Sequence, residues 1–221
     1  MMSSSKRGRG IIMDKIEIKT NILPDKPDWR VFVINGRPLY EYFIEWFKGE
    51  QIIHKPAYLS ICWTDDYDLR SNALFMRYCL EQEHANVPIL SCPDDFDFSC
   101  LVVAAEVEKT EDKVFWHRIG FIDNTNWSRE DERKSGVLLI EKYTDEDWEK
   151  FGNTFVFENT DSEAFKNYEH EHWEDENLRR RINHTFPYYQ KEENVRWFSS
   201  SGFEFTREEY ENLVNSCYNS I

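Results

Sequence analysis

The sequence FSCLVVAAEVEKTEDKVFWHRIGFI, residues 98–122, gives the strongest indication of the fold. Two apolar segments, Phe98–Glu108 and Lys113–Ile122, are separated by the polar residues 109–112, and this pattern predicts a β-hairpin. Both faces of the two predicted strands are largely apolar. We therefore expect the hairpin to lie at the centre of a sheet that is covered on both sides.

The charges beside the predicted turn suggest a register for the hairpin. If Glu108 pairs with Lys113, opposite charges face each other on the first rung, an arrangement that cross-strand pairs favour. The same register opposes Ala104 with His117 and Cys100 with Phe121. A shift of one residue would exchange the two faces of the ribbon.

Shorter strands and several helices are predicted around the hairpin. Alternation and apolar runs indicate strands at 16–19, 29–34, 58–63, 87–91, 137–143 and 155–157. Helical spacing and capping residues indicate helices at 38–48, 72–83, 144–150, 161–184 and 206–218. Asn35-Gly36 is a strong turn signal, and Thr206 with Glu209 has the spacing of a capping box.

These elements predict a single α+β domain. Strands in the middle of the chain and helices toward its C-terminal end favour a mixed or mainly antiparallel central sheet covered by helices. We assign this domain to residues 13–221. Residues 1–12 are rich in Ser, Gly and Arg and predict a disordered basic tail, so that either Met1 or Met13 is the physiological start.

The composition indicates a folded, strongly acidic protein. Of the 221 residues 16% are aromatic, enough for an extensive core, and the net charge is −15. This charge disfavours binding to nucleic acid and to anionic membranes, because both are themselves negatively charged. It favours a basic protein partner and fast electrostatic encounter with it, although solubility alone also explains it.

The cysteines and the hydropathy pattern indicate a cytoplasmic protein. The five cysteines are an odd number without a Cys-x-x-Cys pair, which fits buried free thiols in a reducing compartment. No apolar stretch approaches the roughly 18 residues of a membrane-spanning helix. The apolar run Ile11–Met13 is too short for a signal peptide.

A short acidic motif, Asp-Asp-aromatic-Asp, occurs twice, at residues 65–68 and 94–97. Carboxylates at alternate positions of an extended chain point the same way and together suit a divalent cation, so the motifs predict an alternative metal site. Its ligands would be Asp65, Asp66, Asp68, Asp94, Asp95 and Asp97. The competing interpretation, which we favour, is that both motifs form turns anchored by their aromatic residues.

Two further patterns have the residue types of chemical sites. Glu169-x-x-His172 and Glu81-x-x-His84 have the spacing of di-iron carboxylate bundles, but the many predicted strands argue against such a bundle. Cys100 and His117 share a face in the predicted register, among apolar neighbours that do not activate a thiol. Neither pattern supplies a catalytic residue.

The stretch from Glu141 to Glu176 combines thirteen acids and three lysines with interleaved aromatic residues. Carboxylates that steer a cationic partner and aromatic residues that hold it are typical of a binding surface, although a solvated helix has a similar composition. We predict partner contacts at Asp145, Glu146, Asp147, Trp148, Glu169, Glu171, Trp173, Asp175 and Glu176.

The sequence favours a non-enzymatic acidic module that binds a basic protein, as an inhibitor or immunity protein binds a cationic nuclease. This hypothesis requires no cofactor. The alternative is a hydrolase that depends on a divalent metal held by the two acidic motifs.

Overall fold

The computed structural model describes residues 13–46, 59–65, 67, 69–92, 98, 101–123, 171, 173–175, 177–198 and 202–218. The strands are β1 (Ile16–Lys19), β2 (Val31–Ile34), β3 (Arg37–Pro38), β4 (Ser60–Ile61), β5 (His84–Ser91), β6 (Val102–Lys109), β7 (Lys113–Ile122), β8 (Val195–Trp197) and β9 (Phe203–Thr206). The helices are α1 (Leu39–Trp46), α2 (Arg70–Glu81), α3 (Phe186–Tyr189) and α4 (Arg207–Ser216). Helical residues 177–180 lead through a π-helical turn, Arg181–Thr185, into α3.

The strands form two antiparallel sheets, which confirms the predicted α+β class. The small sheet has the order β1-β2-β3. The large sheet has the order β4-β5-β6-β7-β8, with β9 also paired to β7. The predicted hairpin is β6–β7, and it occupies the centre of the large sheet because β7 pairs with β6 on one side and with β8 and β9 on the other.

The predicted register of this hairpin is wrong. Glu108 pairs with Phe115 instead of Lys113, and Ala104 pairs with Gly120 instead of His117. Beyond the pair of Val107 with Trp116 a β-bulge places two residues of β7 opposite one of β6, which moves every later pair. Phe121 pairs with Val103, and Cys100 lies outside the described residues.

The turn accounts for the rest of the difference. The Thr110 N–H donates to the Lys113 carbonyl at 2.8 Å, and the Thr110 hydroxyl oxygen accepts from the Lys113 N–H at 3.2 Å. These two hydrogen bonds close the turn between Thr110 and Lys113. Lys109 is therefore the last residue of β6, and it pairs with Val114. A cross-strand contact of Glu108 is still made on the ribbon, since its carboxylate lies 2.6 Å from His117 Nε2.

The hairpin is covered on both sides over only part of its length. Residues 102–105 and 119–122 are all buried. Toward the turn one face is open to solvent, and its side chains are at least partly exposed: Glu106, Glu108, Phe115, His117 and Arg118. The expectation of two covered faces therefore fails at the turn end.

The small sheet contains the predicted strands β1 and β2, but strand β3 was not predicted and takes Pro38 from the predicted helix. Asn35 and Gly36 have φ values of 53° and 78°, the left-handed pair that a tight two-residue hairpin turn requires. Pro38 belongs to β3, where it pairs with Val33, and α1 begins at the next residue. Leu39 and Phe43 form the buried side of α1.

Side chains cover the exposed edges of the large sheet. Gln190 accepts a hydrogen bond from the Asn86 N–H at 2.7 Å and donates one to the Asn86 carbonyl at 3.2 Å, as a neighbouring strand would. On β9, Asp14 pairs with the backbone of Glu204 in a similar way. The Asp14 carboxylate accepts from the Glu204 N–H at 2.8 Å, and the Asp14 backbone N–H donates to the Glu204 carbonyl at 2.7 Å. These contacts remove backbone groups that would otherwise pair with another chain.

Aromatic rings fill the space between the two sheets and α4. Trp63 lies 4.9 Å from Phe32, 6.0 Å from Trp116 and 5.5 Å from Tyr210 between ring centroids, each in an edge-on arrangement. Edge-to-face packing at these distances adds to the free energy gained from burial. The four side chains are at most 1% exposed, so they form the centre of the core.

Other element boundaries differ modestly from prediction. Helix α2 begins and ends two residues earlier than expected, and helical structure continues past residue 184 to Tyr189. Strands β8 and β9 were not predicted. The predicted elements at 137–143, 144–150 and 155–157, and the tail 1–12, lie outside the described residues. Among the described helices, none is long and apolar enough to cross a membrane.

Candidate functional site

The acidic surface predicted for a partner lies only partly within the described residues. Glu171 and Asp175 are exposed, and Trp173 is partly buried. The neighbouring Glu174 has a structural role, because its carboxylate accepts a hydrogen bond of 2.6 Å from the Ser71 N–H in the first turn of α2. The positions outside the described residues are Asp145, Glu146, Asp147, Trp148, Glu169 and Glu176.

Tyr67, in the first acidic motif, contacts Phe98, the residue after the second motif. Tyr67 of the first motif is buried and donates a hydrogen bond of 2.6 Å to the Cys62 carbonyl. Its ring lies 5.7 Å from that of Phe98, which follows the second motif. Of the six predicted metal ligands only Asp65 is described, and Asp66, Asp68, Asp94, Asp95 and Asp97 are not. The part of the chain that the structure describes contains no His, Cys, Asp or Glu cluster that could hold a metal ion.

The described cysteines are unbridged. Cys62, Cys79 and Cys217 are buried, and Cys92 is partly buried. Burial raises the pKa of the Cys62 and Cys79 thiols, so these two side chains are protonated and unreactive at neutral pH. They act as packing residues, as expected for buried free thiols.

A different feature of the structure has the properties of a site. A cleft of about 590 Å³ lies between α2 and α4, with the turn end of the β6–β7 hairpin as its floor. Its walls combine apolar and charged groups, as small-molecule sites do. The lining residues are Arg77, Leu80, Glu81, Lys109, Arg207, Tyr210, Glu211, Val214, Asn215 and Tyr218.

Lys109 is the most unusual residue of this α2–α4 cleft. It is only 9% exposed, and its ammonium group donates a hydrogen bond to the Leu80 carbonyl at the C-terminal end of α2. That contact satisfies a carbonyl that the helix leaves unpaired and places a positive charge at the negative end of the helix dipole. Burial nevertheless lowers the pKa of Lys109, although Glu83, Glu211 and Glu81 oppose the shift.

Arg77 approaches the cleft from α2. Its guanidinium lies 4.9 Å from the centre of the Tyr218 ring, and one of its nitrogens donates to the Tyr218 carbonyl at 3.4 Å. Stacking on an aromatic ring holds a guanidinium in place while leaving its in-plane N–H groups free for a ligand. Arg77 therefore joins α2 to the end of α4 across the cleft.

Arg207 fixes the opposite side of the cleft. Its side chain contacts Glu211 at 2.6 Å, Glu83 at 3.0 Å and the Thr110 carbonyl at 2.8 Å. Its backbone N–H donates to the Asp112 carbonyl at 2.9 Å. The hydrogen bonds that Arg207 donates to Glu211 and then to Glu83 raise the pKa of Arg207 above its usual value. One residue thus connects α4, the hairpin turn and the segment after α2.

A second depression, the turn groove, adjoins the cleft. It has a volume of about 500 Å³ and lies between the hairpin turn and α4. Its lining residues are Glu111, Asp112, Thr206, Arg207, Glu208, Glu211, Asn212 and Asn215. Arg207, Glu211 and Asn215 belong to both depressions, so the two form one continuous surface.

The start of α4 is held by the predicted cap. The Thr206 hydroxyl oxygen accepts from the Glu209 N–H at 3.3 Å, and the hydroxyl donates to the Glu209 carboxylate at 2.9 Å. The reciprocal bond of a full capping box, to the Thr206 N–H, is not made, because Thr206 lies in β9 and pairs with Lys113 of β7. The cap fixes Glu208 and Arg207 beside the turn groove.

Sequence reasoning missed this surface for an identifiable reason. Lys109 was assigned to the polar turn, where a lysine is unremarkable. The available signal was the alternation of the strand. Lys109 lies two residues after the buried Val107, so it falls on the same face once the turn is limited to residues 110–112.

Comparisons with known proteins add no assignment for this surface. The sequence matches no protein-family model, and no characterised protein or solved structure shows significant similarity to it.

Proposed function

We propose that this protein is a non-enzymatic binding protein that captures a basic partner protein, in the manner of an inhibitor or immunity protein. The observation that carries the proposal is an acidic rim around the cleft and the turn groove. Six exposed acids form it: Glu81, Glu83, Glu111, Asp112, Glu208 and Glu211. They outnumber the cations Arg77, Lys109 and Arg207 on the same surface.

The net negative charge of the protein mainly affects the rate at which it associates with a cationic partner. A net charge of −15 attracts a cationic protein from a distance, and an acidic concave surface concentrates that attraction at one place. The expected consequence is fast association that slows steeply as the salt concentration rises.

The rim is also held in a fixed arrangement. Arg207 orders Glu83 and Glu211 through ion pairs, and the Thr206 cap orders the first turn of α4. A preorganised surface loses less conformational entropy on binding than flexible side chains do. The rim is therefore better suited to recognition than exposed acids on a mobile loop.

The described acids near residue 171 extend the proposed surface. Glu174 contacts the first turn of α2, whereas Glu81 ends that helix, so the two acidic areas lie at opposite ends of α2. Ten residues of α-helix span about 15 Å, which is within the width of an ordinary protein interface. One partner of moderate size can contact both areas.

A pair of matched charge reversals tests the proposal. The Glu111→Lys/Glu208→Lys double variant changes two exposed rim acids, and the Asp25→Lys/Asp28→Lys control makes the same change of net charge in the exposed loop before β2. Calorimetry against a panel of small basic proteins, with an acidic protein as negative control, measures affinity at several salt concentrations.

We expect at least one basic protein to bind with strong salt dependence, and the rim variant to bind it about tenfold more weakly while the control stays within twofold. Equal losses in both double variants would show that net charge alone attracts the partner. That result, or binding insensitive to salt, contradicts the proposal.

A further inference from the structure

Two cationic side chains line the α2–α4 cleft in an otherwise acidic protein. Lys109 lies at its floor and Arg77 on its α2 side, and neither forms an ion pair with a carboxylate among the described residues. The ion pairs of this region involve Arg207 instead, with Glu83 and Glu211. The cleft thus offers cationic donors to a ligand.

The Lys109 ammonium group can donate further hydrogen bonds to a ligand in the cleft. An ammonium group has three donors, and the described residues supply one acceptor, the Leu80 carbonyl. Burying a charged group without full hydrogen bonding is unfavourable, and a lysine at 9% exposure is rare unless it has a partner. A bound anion would supply the remaining acceptors.

Arg77 contributes a second set of donors. Its ring contact with Tyr218 orients the guanidinium, and one terminal nitrogen donates to the Tyr218 carbonyl at 3.4 Å. A planar guanidinium matches the two oxygens of a carboxylate. Beside these donors, Leu80, Val214 and the tyrosine rings provide an apolar wall.

We propose that the α2–α4 cleft binds a small organic monocarboxylate, whose oxygens accept hydrogen bonds from Lys109 and Arg77 and whose apolar part packs on Leu80 and Val214. The cleft volume of about 590 Å³ lies in the range of small-molecule sites. Glu81 and Glu211 stand in the same cleft, and their negative charge disfavours ligands with two negative charges, such as phosphate. This site does not depend on the proposed binding of a basic protein.

Ligand series test the chemical class with the full chain. Hexanoate, hexylamine, hexanol and inorganic phosphate share either the apolar body or the negative charge, and only hexanoate combines the two. We expect hexanoate alone to raise the melting temperature and to give a binding isotherm by calorimetry. The proposal is overturned if phosphate or hexylamine raises the melting temperature and hexanoate does not. It is also overturned if none of the four ligands raises it.

Lysine-selective NMR gives a readout at the residue itself. The side-chain signal of Lys109 should shift on addition of hexanoate, and its titration midpoint should move to higher pH, because a bound anion favours the ammonium form. An unchanged Lys109 signal at saturating hexanoate contradicts the assignment.

Variants separate the site from general charge effects. Lys109→Met keeps the length of the side chain and should weaken hexanoate binding at least tenfold, since it removes a charged donor. Lys113→Met is the matched control, because Lys113 is on the same hairpin but pairs with Glu204 at 2.6 Å.

Glu81→Gln removes an opposing charge and should tighten binding, and it keeps the test decisive if Lys109→Met does not fold. Equal affinity in Lys109→Met and wild type, or weaker binding in Glu81→Gln, counts against the site.

Discussion

The two ends of the β6–β7 hairpin have opposite surroundings. At the end far from the turn, residues 102–105 and 119–122 are buried on both faces of the sheet. At the turn end one face packs on the aromatic core and the other faces solvent. The β-bulge opposite Glu106 marks the change, with His117 and Arg118 both on the open side.

The difference shows that one end of the hairpin stabilises the fold and the other presents a polar surface. The covered end contributes Val, Ala, Ile and Phe side chains, whose burial stabilises the fold. On the open face Arg118 contacts Glu106 at 2.7 Å and Glu192 at 2.8 Å, and it stacks on Trp197 at 4.1 Å. Exposed ion pairs add little stability, so this face tolerates change and the covered faces do not.

The largest expected effect comes from two adjacent residues on opposite faces of β7. Trp116 is fully buried among Phe32, Trp63 and Tyr210, whereas Phe115 is partly exposed and stacks on His117. Trp116→Ala should lower the free energy of unfolding by about 3–5 kcal/mol, because it leaves a large cavity. Phe115→Ala should cost about 1 kcal/mol or less.

Urea denaturation of the two variants beside wild type measures both values. A smaller loss for Trp116→Ala than for Phe115→Ala would show that the core is not on the side of β7 that the structure assigns to it.

The next effect concerns close packing at the covered end. A Cβ atom on Gly120 would lie 2.8 Å from the Arg196 carbonyl oxygen and 3.0 Å from the Trp197 ring. The carbonyl belongs to β8 and cannot move without disturbing its pairing with β7. Gly120→Ala should therefore cost about 1–3 kcal/mol of unfolding free energy.

Gly202→Ala is the matched control for this change. Its added Cβ would come no closer than 3.3 Å to another atom, the Trp116 carbonyl oxygen. Thermal denaturation should therefore rank Gly120→Ala as the less stable variant. The reverse ranking would contradict the close approach of β8 to Gly120.

The smallest expected effect is a change in how the free energy of unfolding depends on pH. Burial raises the pKa of Tyr210 above its usual value of 10.0. Above pH 10 the unfolded chain loses this proton and the folded chain keeps it, so stability falls by about 1.4 kcal/mol for each pH unit. Below pH 10 the group has no effect on the slope.

Tyr210→Phe should therefore lose less stability than wild type between pH 10 and 11, even if it is less stable at pH 7 because Trp116 loses a hydrogen-bond acceptor at 3.5 Å. Urea denaturation at pH 7, 10 and 11 gives the three values. Parallel pH profiles would show that the Tyr210 hydroxyl ionises normally and is not buried.

Local signals predicted local structure well. The Asn35-Gly36 turn, the hairpin strands and the Thr206 cap each depend on residues close together in the sequence. The predicted register failed first at the turn, where Lys109 pairs with Val114, and again at the bulge of His117 and Arg118. Of these two bulge residues, Arg118 contacts Glu192 and Trp197, which are distant in sequence and lie outside any short-range pattern.

The candidate site was beyond sequence reasoning for a similar reason. Lys109 comes from β6, Arg77 from α2 and Arg207 from α4, and only packing brings them to one cleft. The acidic rim likewise joins acids that are far apart in the chain, such as Glu83 and Glu211 around Arg207. The composition predicted the sign of this surface but not its place.

By itself, the sequence determined the fold class, the central hairpin and the acidic character of the protein, because periodicity, turn residues and net charge are properties of the chain. Only the tertiary structure determined the register, the two unlike ends of the hairpin and the cationic floor beneath an acidic rim. Those features arise from which surfaces are excluded from water when distant segments pack, and burial is what gives an ordinary lysine such as Lys109 unusual properties.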